Sequence, residues 1–210
     1  MTADPQLALA RSPLGHRPGD TGPGEPAPLA GSAATVVLQE LPFRSMLDLR
    51  LAADGLAAQR VEQQLGLGLP RQAGVAMAAG PRAVLWLGPD WWLVVDAPGR
   101  AGPLAAALRS AGAGEPVSVV DVSAQRTTLR LAGPHARDVL QHGCSLDLHP
   151  RAFRPGSCAQ TLLARAGVVV HQTGPEPEYR LYVRASYARY LADWLQDAMT
   201  EYVDAKETPG

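Results

Sequence analysis

Four side chains of metal-binding type, His142, Cys144, His149 and Cys158, crowd into one stretch of the chain. Zinc sites favour tight pairs such as CxxC or HxxxH, which set two ligands on one turn or one helix face. Here the spacings are irregular, the stretch follows a predicted helix end, and Pro150 and Pro155 interrupt it. Ordinary loop residues are the stronger reading. A nucleophilic thiol needs neighbouring positive charge or a helix N-terminus to lower its pKa. Only Arg154 and the histidines are near Cys144 and Cys158 in sequence, so neither is assigned that role. Asp121, after the predicted strand Val117–Val120, is the carboxylate best placed for chemistry at a strand end. The competing and stronger reading is a turn residue that bonds nearby backbone N–H groups.

Arg180, Tyr182 and Arg184 alternate on one face of a predicted strand and can grip an anion, although a solvated or partner-contacting face is the commoner use of such a pattern. Trp91 and Trp92 point to opposite faces, so one enters the core and the other suits an interface, where Trp is enriched. No GxGxxG, GxxxxGK[ST] or GxSxG occurs, which removes the usual dinucleotide fingerprint, phosphate loop and nucleophile elbow. No catalytic, cofactor-binding or metal residue is therefore assigned to this chain.

The elements that position these residues follow from hydrophobic period. Leu47, Leu49 and Leu51 alternate with Asp48 and Arg50, as in a half-buried strand. A helix follows with Ala57, Val61 and Leu65 on one face and Gly66 as its C-cap. Strands at Ala83–Leu87 and Trp91–Asp96 flank the turn Gly88-Pro89-Asp90; a helix around Leu104–Ser110 and a strand at Val117–Val122 close this half. The second half repeats the pattern. A strand carries Thr127, Leu129 and Leu131, and Gly133-Pro134 opens a helix with Ala136, Val139 and Leu140. Strands are expected at Gln160–Ala164, Val168–His171 and Tyr179–Arg184. The last helix carries a stripe of Tyr187, Tyr190, Leu191, Trp194, Leu195, Ala198, Met199 and Tyr202 at helical spacing. The expected fold class is α+β: a βαββα unit used twice, at about 45–122 and 123–203, with mostly antiparallel sheet, in a single domain spanning 35–203. Residues 1–34, rich in Gly and Pro, read as an extended N-terminal arm anchored by Leu7, Leu9 and Leu14, and 204–210 as a tail.

Of the 210 residues, 46% are hydrophobic and only 19% charged, with a formal net charge of −1. Near-neutral charge argues against a protein that coats nucleic acid or anionic membrane, so neither is an expected partner. No apolar run approaches the roughly 18 residues a spanning helix needs. The start, Met1-Thr-Ala-Asp-Pro, lacks the basic and apolar regions of a secretory signal. Two cysteines form no disulfide framework, and a cytoplasmic location with reduced thiols is expected.

The stretch Asp121-Val-Ser-Ala-Gln-Arg-Thr-Thr-Leu-Arg-Leu-Ala-Gly-Pro-His-Ala-Arg-Asp-Val-Leu resembles the D-S…G-x-x-A-x-x-x-L segment of the aminomethyltransferase-like, folate-binding fold. Within that superfamily, Ser12-Pro-Leu and Leu87-Gly-Pro-Asp-Trp-Trp-Leu look like the gamma subunit family of heterotetrameric sarcosine oxidase, over roughly residues 10 to 200. The resemblance implies an oxidoreductase flavoprotein complex that demethylates sarcosine to glycine and hydrogen peroxide and passes the one-carbon unit to tetrahydrofolate. It implies alpha, beta and delta partner subunits, with FAD, NAD and FMN in the larger ones and zinc in the smallest. This chain would then bind no cofactor and serve assembly. The alternatives are a free-standing folate-dependent one-carbon transfer or repair protein, and a scaffolding subunit of another multi-subunit enzyme.

Overall fold

The computed structural model describes residues 11–16 and 27–203. It is a mixed α/β structure in which the described strand pairings are antiparallel. The described residues divide into two compact units, one of Arg44–Gln125 with Gly156–Ala159, the other of the remaining described residues. No helix among the described residues is long and apolar enough to cross a membrane.

The first of these units is built on a five-stranded sheet of β3 (Ser45–Leu51), β4 (Ala76–Ala79), β5 (Arg82–Gly88), β6 (Trp91–Asp96) and β7 (Val117–Asp121), in the order β4-β5-β6-β3-β7. Leu47, Leu49 and Leu51 occupy the inward positions of β3 and pack with Val84, Trp92, Val94 and Val119. Helices α1 (Leu56–Leu65) and α2 (Ala101–Ala111) close this core with Ala58, Val61 and Leu65, and with Leu104, Ala105 and Leu108. Each large apolar side chain so buried contributes about 1.5 to 3 kcal/mol. The first turn of α1 has no side-chain cap of its own; Glu115 Oε1, from beyond α2, accepts the Ala57 N–H at 3.0 Å. Gly66 ends α1 at φ 68°, the left-handed conformation in which its N–H reaches back to the Glu62 carbonyl. Trp92 is buried and donates its indole N–H to the Pro70 carbonyl at 2.7 Å. Trp91 stays half-buried, donates to Asp48 Oδ2 at 2.8 Å, and carries the Arg50 guanidinium 4.2 Å above its ring.

The second unit is built on a six-stranded sheet ordered β1-β2-β8-β11-β10-β9, from β1 (Ala30–Ser32), β2 (Val36–Leu41), β8 (Arg126–Ala132), β9 (Cys158–Leu163, of which residues 160–163 belong to this unit), β10 (Ala166–Gln172) and β11 (Glu178–Arg184). Helices α3 (Ala136–Gln141) and α4 (Ala188–Val203) complete it, the latter preceded by a 3₁₀ turn at Ala185–Tyr187. Three strands lie outside the set that period alone predicts. Every residue of β2 is buried, so its two faces show no polar alternation to read. β4 is Ala-Met-Ala-Ala, with no β-branched residue, and β1 is three residues long.

Within the expected arm, β1 pairs with β2, and residues 12–16 form a turn; Leu7 and Leu9 lie outside the described residues, as does the tail 204–210. The stripe of α4 is rotated from its sequence reading. Ala188, Leu191, Ala192, Leu195 and Met199 are the buried positions, whereas Tyr187 and Tyr190 are 46% and 39% exposed. Trp194 is half-buried and lies over Gly143, where any Cβ would stand 2.6 Å from its ring.

Candidate functional site

The residues singled out for chemistry do not gather. Among the described residues no three His, Cys, Asp or Glu side chains come together as metal ligands. His142 Nε2 lies 3.0 Å from the Tyr202 hydroxyl, His149 Nδ1 accepts the Arg151 N–H, and Cys144 sits in an isolated bridge with Leu163. Cys158 is buried, and its thiol donates to the Val75 carbonyl at 3.3 Å. Burial pushes that thiol up to about 11, despite a hydrogen bond to Trp86 that acts the other way. A thiol so raised stays protonated at neutral pH and is a poor nucleophile. Asp121 Oδ1 accepts both the N–H and the hydroxyl of Ser123, at 2.9 and 2.6 Å, a local turn geometry.

Two groups of hydrogen-bonded polar side chains are built around the six-stranded sheet. The first centres on Glu40 of β2, whose side chain is fully buried. Its Oε2 accepts from Ser12 Oγ at 2.6 Å and stands 2.6 Å from His16 Nδ1, while Oε1 accepts from Thr127 Oγ1 at 2.7 Å. A serine, a histidine and an acid invite comparison with a hydrolytic triad. In a triad the imidazole separates hydroxyl from carboxylate by using both ring nitrogens. Here the hydroxyl donates straight to the carboxylate, and one nitrogen, Nδ1, faces both partners, with Ser12 Oγ 3.5 Å away. The trio is an anchor for the turn at 12–16 and satisfies a buried charge. Sequence reasoning missed it. The available signal was a lone Glu in the apolar run Val-Val-Leu-Gln-Glu-Leu, a position that burial makes unfavourable unless partners arrive.

The second group is a row of polar side chains across the sheet. Arg130 donates from Nη1 to Gln39 Oε1 at 2.6 Å, and from Nε and Nη2 to Glu178 Oε2 at 3.0 and 2.7 Å. Thr173 Oγ1 donates to the other oxygen of Glu178 at 2.8 Å. Burial works to raise the Glu178 carboxyl, but hydrogen bonds from Arg130 and Thr173 and the charges of Arg130 and Arg180 hold it below its ordinary value. Arg180 and Tyr182 of the sequence-predicted triplet belong to this row and the next, with Tyr182 buried; Arg184 is exposed at the strand end. His171, opposite Arg180, is buried, and burial and the Arg180 charge lower its pKa to about 4.

In the other unit a hollow of about 380 Å³ is lined by Leu65, Pro81, Arg82, Asp96 and Arg100. Its Arg82 is engaged by Asp96 Oδ2, at 2.9 Å from Nε, and by the Leu65 carbonyl. These arrangements bind, orient and hold charge.

The chain's relatives agree with one another along its length. Residues 50–201 match the family described as sarcosine oxidase, gamma subunit family. The chain is 40% identical over 198 residues to the sarcosine oxidase subunit gamma of an Arthrobacter species, covering 93% of this chain and 92% of that one. It is 38% identical over 196 residues to the counterpart from Corynebacterium sp. (strain P-1), with the same coverage. Its fold is similar to a chain of the heterotetrameric sarcosine oxidase from Corynebacterium sp. U-96, with TM-score 0.80 and 34% identity, covering 95% of this chain and 100% of that chain. A weaker likeness to the glycine cleavage system aminomethyltransferase T of Bartonella henselae, TM-score 0.61 at 16% identity over 77% of this chain and 45% of that one, concerns the fold alone. The chain belongs to the sarcosine oxidase gamma subunit family.

Proposed function

We propose that this chain is the gamma subunit of a four-subunit sarcosine oxidase and that its work there is assembly rather than catalysis. The observation that carries the reading is end-to-end likeness to a chain of a solved heterotetramer, which this chain covers in full. The complex would demethylate sarcosine oxidatively to glycine and hydrogen peroxide, with tetrahydrofolate accepting the one-carbon unit. FAD, FMN, NAD and zinc would reside in the alpha, beta and delta partners, in the cytoplasm. In keeping with this, the Glu40 cluster and the Arg130–Glu178 pair hold the chain's own strands together.

The two units also support a reading as pseudo-repeats. The order β4-β5-β6-β3-β7 in one answers β9-β10-β11-β8-β2 in the other, with an antiparallel partner beside β3 and beside β8. The last place is filled by β7 from after α2 in one unit, and by β2 from before β3 in the other. Such a repeat would explain the shared α+β pattern without shared sequence.

The test is reconstitution from separately produced subunits, with and without this chain. The expected result is that omission abolishes a stable complex while cofactor content of the partners is unchanged. A complex that forms and turns over sarcosine equally well without the chain would overturn the assembly role.

A further inference from the structure

Gln39, Arg130, Arg180 and His171 stand opposite one another in register across β2, β8, β11 and β10. Opposed residues of antiparallel strands share a face, so the four make one continuous row. Thr128, two residues from Arg130, lies on the same face, diagonal to Arg180.

Half of this row is closed. Arg130 is engaged by Gln39 and Glu178, and Glu178 by Arg130 and Thr173. The other half is open. Arg180 Nε, His171 Nδ1 and Thr128 Oγ1 are buried without a hydrogen-bond partner. His171 and Thr128 are each 1% exposed. Two guanidinium groups thus face a single carboxylate, Glu178, which is already held by one of them. A guanidinium is a charged, donor-only group, so an unpartnered N–H on it calls for an acceptor. The guanidinium N–H is only a donor, a threonine hydroxyl can donate, and a neutral imidazole can carry its proton on Nδ1. The missing complement is one negative charge with several lone pairs. A metal cation is repelled by Arg180, and a doubly charged phosphate exceeds the single charge in excess.

We propose that Arg180, His171 and Thr128 form a carboxylate-binding site, filled by a small organic acid or by an Asp or Glu side chain of another oxidase subunit. The site itself does not depend on the oxidase reading; only the second source does.

The probe is radiolabelled acetate, dialysed against the full chain with chloride at equal ionic strength as control. Saturable binding of one equivalent is expected, weakened about 100-fold in R180Q and about tenfold in T128V, in line with loss of a charged and a neutral hydrogen-bond donor. Thr128→Val removes a hydroxyl at constant shape, so the test stands even where Arg180→Gln fails to fold. The measurement is then repeated on the reconstituted complex. Acetate retained there identifies a small organic acid as the natural occupant. Acetate excluded there, or no binding to the free chain together with assembly weakened at least about tenfold by both substitutions, identifies a subunit side chain. Binding that survives both substitutions, or no saturable binding with wild-type assembly, overturns the proposal and leaves ordered water in the row.

Discussion

Glu40 shows how much of a fold can rest on one side chain. Its strand is buried at every position, so a carboxylate there is tolerable only because Ser12, His16 and Thr127 surround it. Replacing Glu40 by Ala should cost about 2 kcal/mol, since it strands the Thr127 hydroxyl and frees the turn at 12–16. Denaturant titration measures the first effect, and faster tryptic cleavage after Arg11 the second. His171 makes the complementary case on the same sheet. Its pKa of about 4 in the folded chain lies below the 6.5 of the free side chain, so the folded state refuses a proton that the unfolded chain accepts. The folded state is therefore undisturbed by this group above pH 6.5 and is progressively penalised as pH falls from 6.5 toward 4, by about 3 kcal/mol at the end of that range. A His171→Phe variant should show a shallower loss of stability over that window. Equal slopes for the two proteins would show that the imidazole protonates freely. Neither environment was legible in sequence. A Glu within so apolar a run is a signal in itself, but nothing local to Glu40 names Ser12, which is 28 positions away.

At the scale of elements, period served well wherever one face of an element is buried and the other wet. The alternation of Leu47, Leu49 and Leu51 became β3, and the Gly88-Pro89-Asp90 turn joins β5 to β6 with Asp90 at φ 56°. Asp90 also accepts the Ala53 N–H at 2.7 Å, a tertiary use of a turn residue that local chemistry does not announce. The last helix was placed correctly and rotated incorrectly. Leu191, Leu195 and Met199 of the expected stripe are buried, but the small residues Ala188 and Ala192, outside it, take the other buried positions, and Tyr187 and Tyr190 stay exposed. Small side chains let a helix backbone approach what it packs on, so they outrank tyrosines whose hydroxyls prefer water. Leu195→Ala should accordingly cost about 2 to 5 kcal/mol and Tyr190→Ala less than about 1, both read by denaturant unfolding. Gly143→Ala should cost about 1 to 3 kcal/mol, because the Trp194 ring occupies the space of the new methyl group.

The whole molecule carries few charged residues, 19% of the chain, and leaves Leu162, Leu56 and Val120 between 50% and 64% exposed. That surface suits a chain that works among partners. Produced alone, it should self-associate with concentration in sedimentation velocity and cease to do so when its partner subunits are added. A monodisperse monomer at every concentration would count against the assembly role. The sequence by itself determined the order of most strands and helices, and the family resemblance, because hydrophobic period, caps and turn residues act within a few positions of one another. Only the tertiary structure decided that β2 completes the sheet of the later strands, that Ser12 and His16 close on Glu40, and that Arg180 and His171 stand side by side. Strand pairing between distant segments leaves no local period to read. Its register is set when whole faces are buried together, and it is that register which turns scattered polar residues into one row.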